Sequence, residues 1–347
     1  MERRGAWGYR KAREIKPKII RAAVIGLGVG EQHAQAWIRN GAARLVGVCD
    51  RDKKKALRVS RELKTGTFRN LQEIMKDPAV DAVSIATFDG EHARQVVEAM
   101  LAGKHVFVEK PLCRNDKELK KIRRAWGDKK PALMANLVLR AAPLYRKIQK
   151  MIAAGELGKI YAMDGDYLYG RVHKITNGWR SKDKGYSVMA GGGVHLLDLI
   201  LGFAGEKPNW VTATGNRICT HGTRFRRKDF VSAVFEFPSG LVARITANFG
   251  CVHKHQHTLR IFGTRGTVIV DDEGARWHRS RRPETRPAPL LWKRLPASKG
   301  ELVSDFASLI RGGTAGRRRA VEREFSLASA LITADRALKT GRREKAK

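Results

Sequence analysis

The first part of the chain alternates short apolar runs with amphipathic segments. Residues 19–25 (IIRAAVI) are apolar and rich in β-branched side chains, which favours a buried strand ending at Gly26. Similar short runs predict strands over 43–49, 81–86, 105–108 and 132–139. The segments between them have helical spacing and predict helices over 31–40, 53–63, 92–101 and 116–126. This order is typical of a parallel sheet covered by helices on both faces.

After about residue 140 the pattern changes to longer segments in which apolar and polar positions alternate. A helix is predicted over 143–154, and the strands that follow are separated by turn signals and not by helices. The predicted strands are 160–169, 210–217, 230–237, 241–248, 258–262 and 267–270. Residues 279–299 are rich in Arg and Pro and predict an irregular loop, whereas the chain from Glu301 onward predicts helices. We therefore expect a second, α+β domain with a large, mostly antiparallel open sheet.

Length and composition narrow the class of protein. The 347 residues are enough for about two domains, and a hydrophobic content of 42% is typical of a globular chain. Lys and Arg number 69 against 34 Asp and Glu, which gives a net charge of +35. Such an excess attracts anions in general and does not select one. No run of 18 apolar residues predicts a membrane span, and no apolar stretch follows the basic N-terminus as a secretory signal would.

The cysteine pattern indicates a reducing compartment. The four cysteines lie far apart and form no CxxC pair, which argues against both a zinc site and a disulfide framework. They are Cys49, Cys113, Cys219 and Cys251. We expect a cytoplasmic protein that holds no metal and makes no membrane contact.

A glycine-rich turn follows the first predicted strand. It consists of Gly26, Leu27, Gly28, Val29 and Gly30. Glycines at a strand–helix turn let the backbone approach a pyrophosphate, and the helix N-terminus supplies N–H groups to it. Asp50 ends the second predicted strand, where a carboxylate would bind a ribose hydroxyl, so the pattern predicts a Rossmann domain that binds NAD. Arg51 beside it could accept the 2′-phosphate of NADP, which keeps that cofactor open.

Six further stretches have the character of family motifs. They are AVIGLGVGEQHA (23–34), VDAVSIAT (80–87) with His92 beyond it, GKHVFVEKPL (103–112), GELGKI (155–160), GGGVHLLDL (191–199) and IFGTRGTVIVDD (261–272). In these stretches the chain resembles the Gfo/Idh/MocA oxidoreductases, named after glucose–fructose oxidoreductase and inositol dehydrogenase. The resemblance covers about residues 19–340. It implies a nicotinamide-dependent Rossmann domain followed by an open-sheet domain, acting on a hydroxyl or carbonyl of sugars, polyols or sugar nucleotides.

The resemblance also assigns roles to residues. It implies that Lys110 lies near the nicotinamide and the reacting oxygen, that His195 transfers the proton, and that Asp198 contacts substrate. It extends the expected cofactor contacts to Thr87, His92, Glu109, Lys110 and Pro111. Elementary chemistry agrees with the catalytic pair, since a histidine of near-neutral pKa suits proton transfer and a lysine can stabilise alkoxide charge.

One departure from the family pattern concerns the proton route. Many relatives carry an Asp four residues before the histidine, whereas this chain has Gly191 there. Asp166 or Asp183 could substitute for the missing carboxylate, the proton route could differ, or the glycine could open room for a larger substrate.

The substrate domain contributes further candidates. Arg180, Tyr167 and His173 lie in the region that the resemblance assigns to the substrate pocket, and Arg180 or Arg171 could grip a phosphate or carboxylate. Alternating histidines at 253, 255 and 257 predict one polar strand face. Their spacing of about 6.6 Å is too wide for three ligands to reach one ion, so we predict no metal site there.

The leading hypothesis is an NAD(P)-dependent oxidoreductase that acts on a small, sugar-like molecule. The alternatives are an NAD-dependent glycosidase that uses transient hydride transfer, and a non-catalytic protein that binds a dinucleotide or another anion. No specific nucleic-acid partner is expected, and the resemblance implies a homo-oligomer, a dimer or tetramer. The predicted organisation is a basic tail (1–18), a dinucleotide-binding domain (19–140), a substrate and oligomerisation domain (141–340) and a second basic tail (341–347).

Overall fold

The computed structural model describes residues 19–127 and 129–346, so the predicted tail over 1–18 lies outside the described residues. The first part of the chain forms six parallel strands. They are β1 (Ile20–Ile25), β2 (Ala43–Cys49), β3 (Gly66–Thr67), β4 (Ala82–Ile85), β5 (His105–Val108) and β6 (Leu133–Ala135). Their order in the sheet is β3-β2-β1-β4-β5-β6, the arrangement of a Rossmann fold.

Five helices connect and cover these strands. They are α1 (Gly30–Arg39), α2 (Lys53–Glu62), α3 (Leu71–Lys76), α4 (His92–Leu101) and α5 (Asp116–Trp126). Side-chain caps begin three of them: Asp52, Asn70 and Asn115 each accept a backbone N–H from the first turn of α2, α3 and α5. The strand order reverses between β1 and β4, and this reversal creates a crevice at the carboxyl ends of the strands.

The second part of the chain forms a nine-stranded mixed sheet. Its strands are β7 (Ile160–Leu168), β8 (Trp210–Asn216), β9 (Phe230–Glu236), β10 (Val242–Asn248), β11 (Gln256–Gly263), β12 (Thr267–Asp271), β13 (Gly274–His278), β14 (Ala288–Pro289) and β15 (Glu344–Lys345). They pair in the order β14-β13-β12-β11-β7-β10-β9-β8-β15. Neighbouring strands are antiparallel except for β7 and β10, which confirms the predicted architecture.

Four helices accompany this sheet, and the last of them carries the predicted catalytic histidine. They are α6 (Pro143–Ala153), α7 (His173–Thr176), α8 (Trp179–Lys182) and α9 (Val194–Ala204). A π-helical turn, Met189–Gly193, leads directly into α9. Nearly every side chain of α9 is buried, because the helix packs against β7 and β10 on one side and against the C-terminal helix on the other.

The C-terminal helices return to the first sheet. Helix α10 (Leu302–Arg311) packs on the dinucleotide-binding domain, with the ring of Phe306 5.5 Å from Phe107 and 6.1 Å from Trp37. Helix α11 (Thr314–Thr340) contacts both α5 of the first unit and β8 of the second. The chain from 302 to 340 therefore contacts both units.

Most predicted elements agree with the structure to within a residue or two, with two clear corrections. The strand predicted over 132–139 ends at Ala135, because Asn136 turns its side chain into a buried hydrogen-bond cluster and a 3-10 turn follows at Val138–Ala141. The predicted basic tail over 341–347 contains β15, whose Glu344 and Lys345 pair with β8.

Candidate active site

The glycine turn after β1 forms an open cradle. Gly26 has φ +84°, and a β-carbon there would lie 2.5 Å from the carbonyl oxygen of Ala86. At Gly30 a β-carbon would lie 3.0 Å from Val24 Cγ1, so this glycine lets α1 pack close to β1. No atom lies within 4 Å of the position that a β-carbon would take at Gly28. The open space at Gly28, in front of the first turn of α1, fits the pyrophosphate of a dinucleotide.

Asp50 lies at the end of β2 and faces this turn. Its Oδ2 accepts the N–H of Leu27 at 2.6 Å, and its Oδ1 accepts the N–H of Asp52 at 2.9 Å. These bonds orient the carboxylate, and each oxygen keeps a lone pair for a ribose hydroxyl. Arg51 is exposed beside it.

His92 connects the other two predicted cofactor segments. It is fully buried at the start of α4, with Nδ1 2.8 Å from the Pro111 carbonyl oxygen and Nε2 3.2 Å from the Thr87 carbonyl oxygen. The Thr87 hydroxyl donates to Gln95 Oε1 at 2.8 Å. Both ring nitrogens of His92 therefore contact backbone carbonyl groups, and the ring connects the segment after β4 with the segment after β5.

Glu109 is anchored within the protein. Its Oε1 accepts from Asn136 Nδ2 at 2.7 Å and lies 3.3 Å from His33 Nε2. Burial would raise the pKa of Glu109, but hydrogen bonds from His33 and Asn136 and the charge of Lys110 outweigh it and lower that pKa to about 2. The ionised carboxylate thus fixes the backbone of the residue next to Lys110.

Lys110 bridges the two units of the fold. Its Nζ donates to the carbonyl oxygen of Gly191, in the π-helical turn, at 2.9 Å. Burial lowers the pKa of Lys110, and the nearby charge of Asp89 partly opposes that effect. The ammonium group is thus held at the junction between the cofactor cradle and the second unit.

At each of the three glycines of the π-helical turn, another side chain occupies the position that a β-carbon would take. A β-carbon at Gly191 would lie 2.2 Å from Tyr186 Oη, and one at Gly192 would lie 2.3 Å from Tyr167 Cε1. At Gly193 the obstacle is Met189 Sδ, also at 2.3 Å. The expectation that Gly191 opens room for a larger substrate is therefore wrong, because Tyr186 occupies that room.

His195 follows this turn and is 9% exposed. Its ring lies 6.3 Å from the ring of Tyr167 and 5.7 Å from that of His257. Burial, reinforced by the positive charge of Lys110, holds the pKa of His195 well below its usual value. The imidazole is therefore neutral at physiological pH and able to accept a proton, and its Nδ1 is buried without a hydrogen-bond partner among the described residues.

Neither suggested substitute for the missing Asp reaches His195. Asp166 accepts from Thr246 Oγ1 at 2.7 Å and from Thr258 Oγ1 at 3.2 Å, on strands of the second sheet. Asp183 forms a two-point ion pair with Arg114. Both carboxylates are committed to these partners, so neither replaces the residue that Gly191 lacks.

Asp198 has a structural role in place of the predicted substrate contact. It is 1% exposed, and Arg140 donates to both of its oxygens, at 2.7 and 2.9 Å. Arg140 also pairs with Glu324 on α11, and Arg323 donates to Asp198 at 3.2 Å. Burial would raise the pKa of Asp198, but the two arginines outweigh it and lower that pKa. The cluster binds α9 to α11 and leaves the carboxylate no free face.

The predicted substrate residues separate into two groups. Tyr167 stacks beside His195, and Arg180 lies over the rings of Trp179 and Tyr186, at 4.6 and 5.8 Å. His173 is exposed at the start of α7. The structure thus brings Tyr167 and Arg180 to the Lys110–His195 junction and leaves the ring of His173 facing solvent.

The three histidines near β11 do not share one strand face. His255 and His257 both lie edge-on to Tyr167, at 5.2 and 5.1 Å. His253 precedes the strand and pairs with Asp272 at 2.8 Å. Among the described residues no group of three His, Cys, Asp or Glu side chains has a geometry that could hold a metal ion.

Sequence reasoning missed four residues at this junction. They are His33, Asn136, Tyr186 and Lys299. Lys299 belongs to the Arg- and Pro-rich loop, yet its carbonyl oxygen accepts from Asn136 and its N–H donates to Gln32 Oε1. Only the unusual run of three glycines signalled that a bulky side chain such as Tyr186 packs there.

The fold and the cradle define an NAD-binding oxidoreductase. Residues 20–137 match the model of an oxidoreductase family with an NAD-binding Rossmann fold, and residues 145–269 match the GFO/IDH/MocA C-terminal domain. The chain therefore belongs to the Gfo/Idh/MocA family, as the resemblance predicted. No helix among the described residues is both long and apolar enough to span a membrane.

Curated relatives and solved structures extend this comparison. The scyllo-inositol 2-dehydrogenase (NAD(+)) of Bacillus subtilis is 28% identical over 256 residues, which cover 72% of this chain and 73% of the relative. The 2,7-anhydro-N-acetylneuraminate hydratase of Escherichia coli is 26% identical over 265 residues, covering 73% and 68%. A levoglucosan dehydrogenase in complex with NADH and levoglucosan has the same fold, with a TM-score of 0.82, 20% identity and coverage of 95% and 100%.

Proposed function

We propose that this oxidoreductase interconverts a hydroxyl and a carbonyl group on a sugar or polyol, with Lys110 and His195 as its catalytic residues. The observation that carries the proposal is the junction itself. The half-buried ammonium of Lys110 donates to the turn that precedes His195, and Lys110 itself follows the carboxyl end of β5, which pairs with β4. When bound, the nicotinamide supplies or accepts the hydride.

The protein groups divide the remaining work between them. His195, held neutral by burial, accepts the hydroxyl proton when the substrate is oxidised and returns it on reduction. Lys110 polarises the reacting oxygen and stabilises its developing negative charge. Glu109 and Gly191 hold the backbone and the ammonium of that lysine in place. Gly26–Gly30 and Asp50 hold the cofactor, and the carboxylate favours NAD over NADP.

A redox screen with single variants tests this assignment. Purified protein is given a panel of sugars and polyols with NAD or NADP, and the absorbance of reduced nicotinamide is followed. Lys110→Ala and His195→Asn should each lower kcat/KM by about 10²–10⁴-fold, with NADH affinity retained. Lys207→Ala, at an exposed lysine paired with Glu322, is the matched control. Turnover unchanged in Lys110→Ala would overturn the catalytic assignment.

A second candidate reaction is the addition or removal of water or a glycosyl group without net oxidation. The Escherichia coli relative carries the name of a hydratase, and this favours testing the reaction here. If this reaction occurs, product should form only when NAD is present, and no net NADH should accumulate. Chromatography measures the product, and the absorbance assay measures NADH.

Two observations support a proposal for the oligomeric state and the cellular compartment of the enzyme. Tyr161 and Val242 are exposed on β7 and β10, at 52% and 44%, and a homodimer or tetramer would cover these two side chains. The four cysteines are unpaired in the structure, which suits the reducing cytoplasm. Light scattering on the purified protein tests the oligomeric state.

A further inference from the structure

Three cations from distant parts of the sequence lie around the Lys110–His195 junction. Arg171 follows β7, Arg180 lies on α8, and Lys299 ends the Arg- and Pro-rich loop. Among the described residues, none of the three has a carboxylate within ion-pair distance. By contrast, three other arginines of this part of the fold each pair with an aspartate. They are Arg114, Arg140 and Arg244. Arg171 and Arg180 are half-buried, and half-buried cations without a charged partner are costly unless an anion joins them.

Arg171 approaches from the side of the second sheet. Its guanidinium lies over the ring of Tyr169 at 4.6 Å, and Nη2 is 2.9 Å from His255 Nδ1. His255 is edge-on to Tyr167, which stacks beside His195. The Nε of Arg171 is buried without a hydrogen-bond partner among the described residues, so one donor of the fork is unused.

Arg180 approaches from the side of Gly191. It lies over Trp179 and Tyr186, and the hydroxyl of Tyr186 fills the space beside Gly191, whose carbonyl oxygen holds Lys110. The aromatic rings orient the guanidinium and leave its N–H edge free to bind oxygen atoms. The positive charge of Arg180 adds to burial in lowering the pKa of Lys110.

Lys299 closes the third side. Its backbone is held from both ends, by Gln32 and by Asn136, and Asn136 also binds Glu109 next to Lys110. Its side chain is exposed, and its charge acts together with burial to lower the pKa values of Lys110 and His195. The charges of Asp89 and Glu109 raise the pKa of Lys110, and Glu109 is already bound by Asn136.

We propose that the substrate is an anionic sugar derivative whose carboxylate or phosphate group is bound by Arg171, Arg180 and Lys299. Four cations, including Lys110, surround the junction, and the nearby acidic side chains are Asp89 and the already bound Glu109, so a neutral polyol would leave Arg171, Arg180 and Lys299 without an anionic partner. A planar guanidinium binds either oxyanion through two parallel hydrogen bonds. This inference rests on the proposed function, because it names the class of substrate for the same site.

The test compares matched ligands on NADH-loaded protein. D-glucuronate supplies a carboxylate, D-glucose 6-phosphate a phosphate, and D-glucose neither, and the affinity of each is measured from NADH fluorescence and thermal shift at constant ionic strength. At least one acid should bind about tenfold or more tightly than glucose, since each hydrogen bond to a charged group contributes about 1.5–3 kcal/mol. The acid that binds more tightly than glucose shows whether the site prefers a carboxylate or a phosphate.

A pair of triple variants removes equal charge from two places. Arg171→Gln/Arg180→Gln/Lys299→Gln should lose the preference for the acid, so that the ratio of acid to glucose affinity falls to about one. Arg224→Gln/Arg227→Gln/Arg286→Gln lowers the net charge equally at exposed positions and should keep the preference. Equal affinities of wild-type protein for all three sugars, or equal loss in both triple variants, would overturn the proposal.

Cofactor binding separates this inference from the proposed function. The dissociation constant of NADH should stay unchanged in the first triple variant; a large rise there with an intact acid preference would assign the cations to the cofactor and overturn the inference. Failure of every sugar to exchange a hydride with NAD would count against the proposed reaction, while the ratio of acid to neutral affinity would still decide the anion site.

Discussion

The contact between Gly191 and Tyr186 should make position 191 intolerant of any side chain. In Gly191→Ala the new β-carbon would lie 2.2 Å from Tyr186 Oη and 2.7 Å from Cζ. An ordinary contact needs about 3.5 Å, so the ring has to move by about 1 Å. That ring is 5% exposed and packs edge-on against Trp179 at 6.0 Å and Phe225 at 6.1 Å, which leaves it little freedom.

Stability and activity should both respond. Overpacking of this kind costs about 1–3 kcal/mol, which corresponds to a fall in Tm of roughly 2–12 °C at about 2–4 °C per kcal/mol. The carbonyl oxygen of Gly191 also holds Lys110, and a misplacement of about 1 Å near the reacting atoms can cost about 10²-fold in rate. We therefore expect kcat/KM to fall along with Tm.

A double-mutant cycle decides whether Tyr186 is the cause. The Tyr186→Leu substitution removes the hydroxyl and Cζ, so Gly191→Ala should cost less than about 0.5 kcal/mol in that background. Free energies of unfolding come from urea titrations monitored by circular dichroism, with Gly313→Ala as a control at an unobstructed glycine. An equal cost of Gly191→Ala in both backgrounds would refute the steric explanation.

Three further predictions concern the cofactor, the core and pH. Asp50→Ala should raise the Kd of NADH about tenfold or more and that of NADPH less, by calorimetry, whereas Asp52→Ala, which removes only the cap of α2, should leave both unchanged. Arg140→Met should lower the free energy of unfolding by about 3–5 kcal/mol, because Asp198 and Glu324 lose their buried partner; an unaltered urea midpoint would contradict this. Burial lowers the pKa of His105 to about 4 and that of His257 to about 3, so the unfolded chain takes up protons first, and stability should fall as pH drops below about 6.5. His257→Phe should make that fall shallower in urea titrations at pH 7 and 5.

Local sequence patterns predicted most of the helices and strands. The apolar β-branched runs, the glycine turn and the helical spacing of apolar residues each involve only a few neighbouring residues, so α4, α5, β2 and β5 were predicted with the bounds that the structure has. The parallel character of the first sheet followed from the alternation of strands and helices, because parallel neighbours need a covering crossover, whereas the strand order came from the structure. The very short elements β3, β14 and β15 carry no such pattern and were not predicted.

The sequence by itself determined the two-part α/β architecture and the dinucleotide cradle, since each depends on local patterns, and the family resemblance implied the two candidate catalytic residues. Only the tertiary structure decided that Tyr186 fills the space beside Gly191, that Asp198 pairs with Arg140, and that the backbone of Lys299 binds Asn136 next to the site. These contacts join residues far apart in the chain. They depend on how helices and sheets pack, and packing is a property of the whole core that no local pattern records.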